Sequence, residues 1–240
     1  MLINELFMAL HSLKHKTNSA VSTSEHDLSV LHTQSDLPFC EKTNAANSTK
    51  AVSKFELWAA RIGFFTGGFT VASWAPLIPF VQSKLALEPY VLGLLLLGLG
   101  VGSFVGMPLA GTLTQRLGSR NAIALSGLAS CLLLVLLALM PGFYFECFAL
   151  LAYGVALGCL EVSVNIYGTY LENRQKSRLM SGLHAAYSIG EVASAAALTA
   201  LFVSGFAPIT AVGFLMIVLA LVLIAILRKI ENTKLEAPKK

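Results

Sequence analysis

Glu161 stands in a stretch that is otherwise apolar from Cys147 to Tyr170, with Asn165 one helical turn further on. A carboxylate at the centre of a bilayer costs roughly 2.5–3.5 kcal/mol on insertion scales, so it must be paired, hydrated or protonated. Such a group suits two tasks, carrying a proton and hydrogen-bonding a polar solute. A second apolar stretch brings His184, Ser188 and Glu191. If the first stretch leaves the membrane near Tyr170 and the second enters near Leu179, Glu161 lies about nine residues, or roughly 13 Å, deep. The same depth falls near Ser188, and His184 is level with Asn165. Should the two helices be neighbours, Glu161, Asn165, His184 and Ser188 line one polar pocket. Glu191 is deeper, and either joins them or faces water in a central cavity. Plainer readings stay open: Asn165 hydrogen-bonding a neighbouring helix, and His184 capping or snorkelling at the membrane surface.

Other chemistry finds no support in the spacing. The chain has no HExxH and no GxxxxGK[ST], so neither a zinc protease nor an ATP-driven machine is indicated. Cys40, Cys131, Cys147 and Cys159 lack metal-ligand spacing. His184 and Ser188 are a turn apart but have no activating context for a nucleophile. The expectation is a protein that is not an enzyme and needs no metal or cofactor.

The elements that carry these residues follow from composition. Of 240 residues, 55% are hydrophobic and only 12% charged, and mean hydropathy is +0.71. Soluble domains carry about 25% charged residues. The apolar residues fall in blocks of bilayer-spanning length, about 20 residues each. Fold class is therefore all-α, a polytopic membrane protein with six transmembrane helices at 57–81, 91–114, 121–140, 143–170, 179–204 and 207–227. The net charge of +4 is spread over loops, which argues against nucleic-acid binding. Lys84 is the basic residue of the loops on one side of the membrane. The other side holds Lys54, Arg61, Arg116, Arg120, Arg174, Lys176, Arg178, Arg228 and Lys229. The positive-inside rule then places both termini in the cytoplasm.

Residues 1–54 are rich in Ser, Thr, Asn and His and read as a disordered polar cytoplasmic tail. Residues 230–240 read as a cytoplasmic tail or the start of a linker. Within the membrane, Gly98, Gly102, Gly106 and Ala110 form a small-xxx-small ladder on the second span. Gly154 and Gly158 on the fourth span, with Ala186, Gly190 and Ser194 on the fifth, offer similar faces. Such stripes let helix backbones pack closely.

The loop after the second span reads Gly111-Thr-Leu-Thr-Gln115-Arg116-Leu-Gly118-Ser119-Arg120. It resembles the cytoplasmic gate-loop motif of the major facilitator superfamily, G-x-x-x-D-R-x-G-[RK]-[RK], with Gln115 in place of the Asp and Ser119 in place of a basic residue. Gly118 permits the tight turn, while Arg116 and Arg120 suit carboxylates or helix C-termini. The run Phe64-Phe65-Thr-Gly67-Gly68-Phe69, followed by Ala72-Ser73-Trp74-Ala75-Pro76, looks like span one of a bacterial inner-membrane permease subgroup of that superfamily. Met180-Ser181-Gly182-Leu183-His184 and Ser188-Ile189-Gly190 resemble the start of its span five. Gly158-Cys159-Leu160-Glu161 with Asn165 is similar to span four of the fucose:proton symporters. There the matching Glu is implicated in proton coupling and the matching Asn in sugar binding. Those symporters also carry a span-one Asp, which this chain lacks.

The resemblance covers residues 58–229 and implies the N-terminal six-helix half of a twelve-span carrier built of inverted repeats. The expected function is secondary transport of a small, sugar-like solute, linked to protons, in the cell inner membrane. Its partners are then the lipid bilayer, the solute, protons and a second six-helix half, supplied by a separate chain or by homodimerisation. A truncated or split half is the expected origin. The competing expectation is a non-transporting scaffold or an inactive remnant.

Overall fold

In a computed structural model, residues 52–139, 142–229 and 232 are described. The expected tail over 1–54 falls almost wholly outside them, as does 230–240 apart from Asn232. Helix α1 spans Lys54–Ser73, a 3-10 turn covers Ala75–Leu77, and α2 spans Ile78–Lys84. Then follow α3 (Pro89–Leu117), α4 (Ser119–Leu139), α5 (Phe143–Gln175), α6 (Met180–Val203) and α7 (Pro208–Leu227). These give six helical columns long and apolar enough to cross a membrane, the first running from Lys54 to Lys84. The all-helical class and the six spans are as the sequence predicts.

Local chemistry sets the ends and breaks. A capping box opens α1: Ser53 caps the first turn and Glu56 Oε2 accepts from the Ser53 N–H at 2.7 Å. Pro76 and Pro79 interrupt the first column, because proline has no N–H to donate and its ring clashes with the preceding turn. Gly118, at φ +85°, ends α3. This left-handed conformation is one that glycine adopts without Cβ strain. Polar side chains inside the columns bond back to their own helix. Thr66 donates to the Ile62 carbonyl, Thr70 to Thr66 and Ser126 to Ala122, each at 2.7 Å. The hydroxyls are thereby satisfied where no water is available.

The packing is an exchange between two triplets. The most extensive pairings are α3 with α5 and α1 with α6. The middle column of each triplet thus lies against the leading column of the other. That is the relation expected of inverted three-helix repeats. At the first crossing Gly102 and Gly106 lie against the Leu151 and Val155 carbonyls, while Gly154 and Gly158 face those of Leu99 and Ser103. A Cβ at any of the four would overlap backbone. Ser103 Oγ donates to the Gly154 carbonyl at 3.2 Å, and Cys159 Sγ approaches that of Gly106 at 3.1 Å. Gly98 corrects the expected ladder, because nothing lies within 4 Å of the place its Cβ would take. Residues four apart precess by about 40° on a 3.6-residue helix, so a straight small-residue stripe leaves a crossing after two or three steps.

The second crossing repeats the pattern. Gly68 lies against the Tyr187 carbonyl and Gly190 against that of Phe65, and Ser73 and Ser194 share a hydrogen bond of 2.6 Å. Two buried clusters fill the bundle, one from Phe69 to Leu219 and one around Phe64, Leu160, Val164 and Leu223.

Candidate functional site

The α1/α6 crossing delivers the polar groups. Because Gly67 and Gly68 have no side chains, α6 can seat Tyr187 directly on α1, its ring 3.2 Å from the position of a Gly67 Cβ. From there Tyr187 Oη donates to Glu161 Oε1 across the bundle at 2.9 Å. A net hydrogen bond contributes about 0.5–1.5 kcal/mol, more where the acceptor is charged, enough to bias where the carboxyl group points. Tyr187 was not among the residues that depth arithmetic selects. What depth does not give is how α6 seats on the side-chain-free Gly67 and Gly68 of α1, which is what brings the Tyr187 ring toward Glu161.

Phe64, Glu161, Val164, Asn165, His184 and Tyr187 line an open cavity of about 210 Å³. Glu161, Asn165 and His184 therefore come together. The two helices bearing them do not pack side by side, as α1 lies between and contributes Phe64. Asn165 Nδ2 donates to the Glu161 backbone carbonyl at 2.8 Å, inside its own helix. The His184 ring stands edge-on to Phe64, centroids 5.3 Å apart. Ser188 is exposed and Glu191 half-buried, and neither lines the cavity. The lining combines one carboxylate, one amide, one imidazole and one phenol with two apolar walls. It contains no Lys or Arg, so it offers hydrogen-bond donors and acceptors rather than an anion site.

The loop after α3 is separate from this cavity. Gly111 has open space around it, Gln115 and Arg116 are exposed, and Gly118 is buried. Arg120 Nε donates to Asn121 Oδ1 at 3.4 Å. Asn232 Nδ2 donates to the Leu117 carbonyl at 2.6 Å, completing the C-terminus of α3 with a side chain from beyond α7. At the same end of the bundle Arg174 bridges to Glu56 at 2.8 Å, both largely buried. Glu172 Oε2 accepts from the Leu179 and Met180 N–H groups at 2.7 and 2.8 Å. The short link between α5 and α6 is thereby held at both ends.

A further buried carboxyl escaped sequence reading. Glu146 sits in the first turn of α5 with 0% exposure, and neither carboxyl oxygen has a hydrogen-bond partner. A helix N-terminus favours a carboxylate by about 0.3–2 kcal/mol, whereas burying an unpaired ion costs several kcal/mol.

Comparison with known proteins follows the same lines. The Major Facilitator Superfamily profile matches residues 60–240. An uncharacterised MFS-type transporter of Yersinia pestis is 38% identical over 167 residues, covering 70% of this chain and 44% of the relative. Membrane protein MosC of Rhizobium meliloti is 31% identical over 145 residues, covering 60% of this chain and 36% of the relative. An uncharacterised transporter of Sinorhizobium fredii is 29% identical over 134 residues, with 56% and 36% covered. The chain thus spans less than half the length of the relatives it matches. Six helical columns in two interlocked triplets, with a profile match over most of the sequence, identify the chain as a member of the Major Facilitator Superfamily.

Proposed function

We propose that these six columns act as one lobe of a secondary transporter that moves a small polar solute, sugar-like in its hydrogen-bonding, in exchange for or together with protons. In this reading Glu161 carries the proton, Tyr187 orients it, and Asn165 and His184 meet the solute. The observation that carries it is a carboxylate in a membrane-spanning helix, directed by a tyrosine from another helix at the wall of a cavity. A purely structural role leaves that carboxylate at a cost of roughly 2.5–3.5 kcal/mol with no return. Relatives described as transporters support the coarse function.

A second six-helix lobe completes the path, since alternating access is one half rocking against another. The long exposed apolar faces of α3 and α6, including Leu97, Phe104, Ile189 and Val192, suit lipid and that lobe. By the distribution of Lys and Arg, the end of the bundle bearing Lys54 and Arg174 faces the cytoplasm of a cell inner membrane. The motif loop 111–120 then lies at the cytoplasmic gate.

The test uses liposomes containing a pH-sensitive dye, with the chain fused to the remaining length of the Y. pestis relative. A panel of monosaccharides and polyols is added outside. One or more should change the internal pH, and Glu161→Gln should abolish that change while solute counterflow persists. Counterflow without any proton movement in the wild type, or an unaltered pH response in Glu161→Gln, refutes the assignment.

A further inference from the structure

Glu146 lies outside the Glu161 cavity and has no part in the function proposed above. It is enclosed at the Lys84 end of the bundle, and neither carboxyl oxygen is hydrogen-bonded. Some 22 Å of helix separates it from Glu161, too far for direct proton exchange between the two.

Few titratable groups surround it. Lys84 is the cation whose field reaches it, and Cys147 is the adjoining thiol. Glu88 and Tyr90 at the start of α3 are exposed, as is Tyr144. The last turn of α4 brings only Leu and Ala, and the first turn of α7 brings no charge. Lys84 does not bond Glu146. Its ammonium donates instead to the carbonyl of Leu139, the last residue of α4, at 3.1 Å. An ionised Glu146 here would be a buried charge with neither partner nor hydrogen bond, which is the arrangement proteins avoid most strongly. The geometry therefore holds the neutral acid.

We propose that Glu146 is a second proton-binding site of this chain, protonated while Lys84 rests on the Leu139 carbonyl and ionised when Lys84 turns onto it. In the exchange the carboxyl O–H bond breaks and its proton passes to water at the Lys84 end. The electron pair stays on the carboxylate, and the ammonium of Lys84 neutralises it. Lys84 is exposed and its four-carbon stem is flexible. An open cavity of about 580 Å³, lined by Ser83, Lys84, Leu139 and Pro208 among others, gives the lysine side chain room to turn and water access to its ammonium. The movement trades a contact between the first and third columns for one between the first and fourth. Proton occupancy at Glu146 thus biases how the two triplets meet at this end, independently of Glu161.

Infrared difference spectroscopy between acid and alkaline buffer tests this on the full chain in lipid, with no solute. Wild type should show the C=O stretch of a protonated carboxyl that disappears on the alkaline side. Glu146→Gln should remove that band and Glu161→Gln should leave it. Lys84→Met keeps the carboxyl and should retain the band at pH values where wild type has lost it. This arm decides the matter even if Glu146→Gln fails to fold. A band missing from wild type, indifferent to pH, surviving Glu146→Gln, or lost from Lys84→Met together with wild type overturns the proposal.

Discussion

Replacing Gly68 with alanine tests the link between helix packing and the Glu161 site. The new Cβ would overlap the Tyr187 carbonyl, which is backbone and cannot rotate away. Restoring ordinary contact requires α1 and α6 to part by on the order of 1 Å. Overpacking of this kind costs about 1–3 kcal/mol. For a domain of this size each kcal/mol lowers Tm by about 2–4 °C, so the expected loss is roughly 2–12 °C. The same parting would stretch the 2.9 Å bond from Tyr187 to Glu161 to ~4 Å, beyond hydrogen-bonding range. Gly100 is the control: it is also helical, but nothing lies within 4 Å of its Cβ position. There alanine should be neutral or stabilising, by up to about 1 kcal/mol, through helix propensity alone. Scanning fluorimetry of the detergent-solubilised variants reads both. Equal melting temperatures for Gly68→Ala and Gly100→Ala would show that the crossing is looser than described, and the reasoning from packing to site would fail.

Three other outcomes follow from the geometry. Tyr187→Phe keeps the ring on Gly67 but removes the donor to Glu161, so the fold should lose no more than about 1–3 kcal/mol. Solute-dependent proton movement should fall in the same variant, and unchanged proton movement in the liposome assay would remove Tyr187 from the site. Glu56→Gln and Arg174→Gln each break a largely buried ion pair, with a destabilisation of about 1–3 kcal/mol, below the fully buried case because some water reaches it. A double-mutant cycle by thermal unfolding should show coupling, and strict additivity would mean the pair is idle. Gly118→Ala forces an L-residue into φ +85° and crowds Asn232. It should cost about 1–2 kcal/mol, read against Gly111→Ala, whose surroundings are open.

The parts legible in the sequence are those set by local physics. Hydrophobic block length determined the six columns, and glycine marked the turn at Gly118, whereas the first span, read as unbroken over 57–81, is interrupted after Ser73. Depth counting from the membrane edges paired Asn165 with His184 and Glu161 with Ser188; Glu161, Asn165 and His184 line one cavity, and Ser188 does not. Tyr187 escaped because its reach to Glu161 depends on how α6 seats on Gly67 and Gly68 of α1, a contact between distant segments. Ser188 matched in depth but faces elsewhere. Glu146 escaped for a different reason. A Glu in the first turn of a helix ordinarily sits at the aqueous surface and complements the dipole. Whether neighbouring columns enclose it is a tertiary fact that no window of sequence contains. Gly98 misled in the opposite sense: its spacing continued the ladder, but the crossing angle had already carried the helices apart.

The paired glycine crossings have a mechanical consequence. Where carbonyl oxygens rest on α-carbons, no flexible side chain lies between two columns to absorb a push. A tug on the phenol of Tyr187 is therefore transmitted through Gly68 to the whole length of α1, as through a rigid lever. The proline-broken elbow of the first column, between Ser73 and Ile78, and Pro108 inside α3 are the places where this bundle can bend.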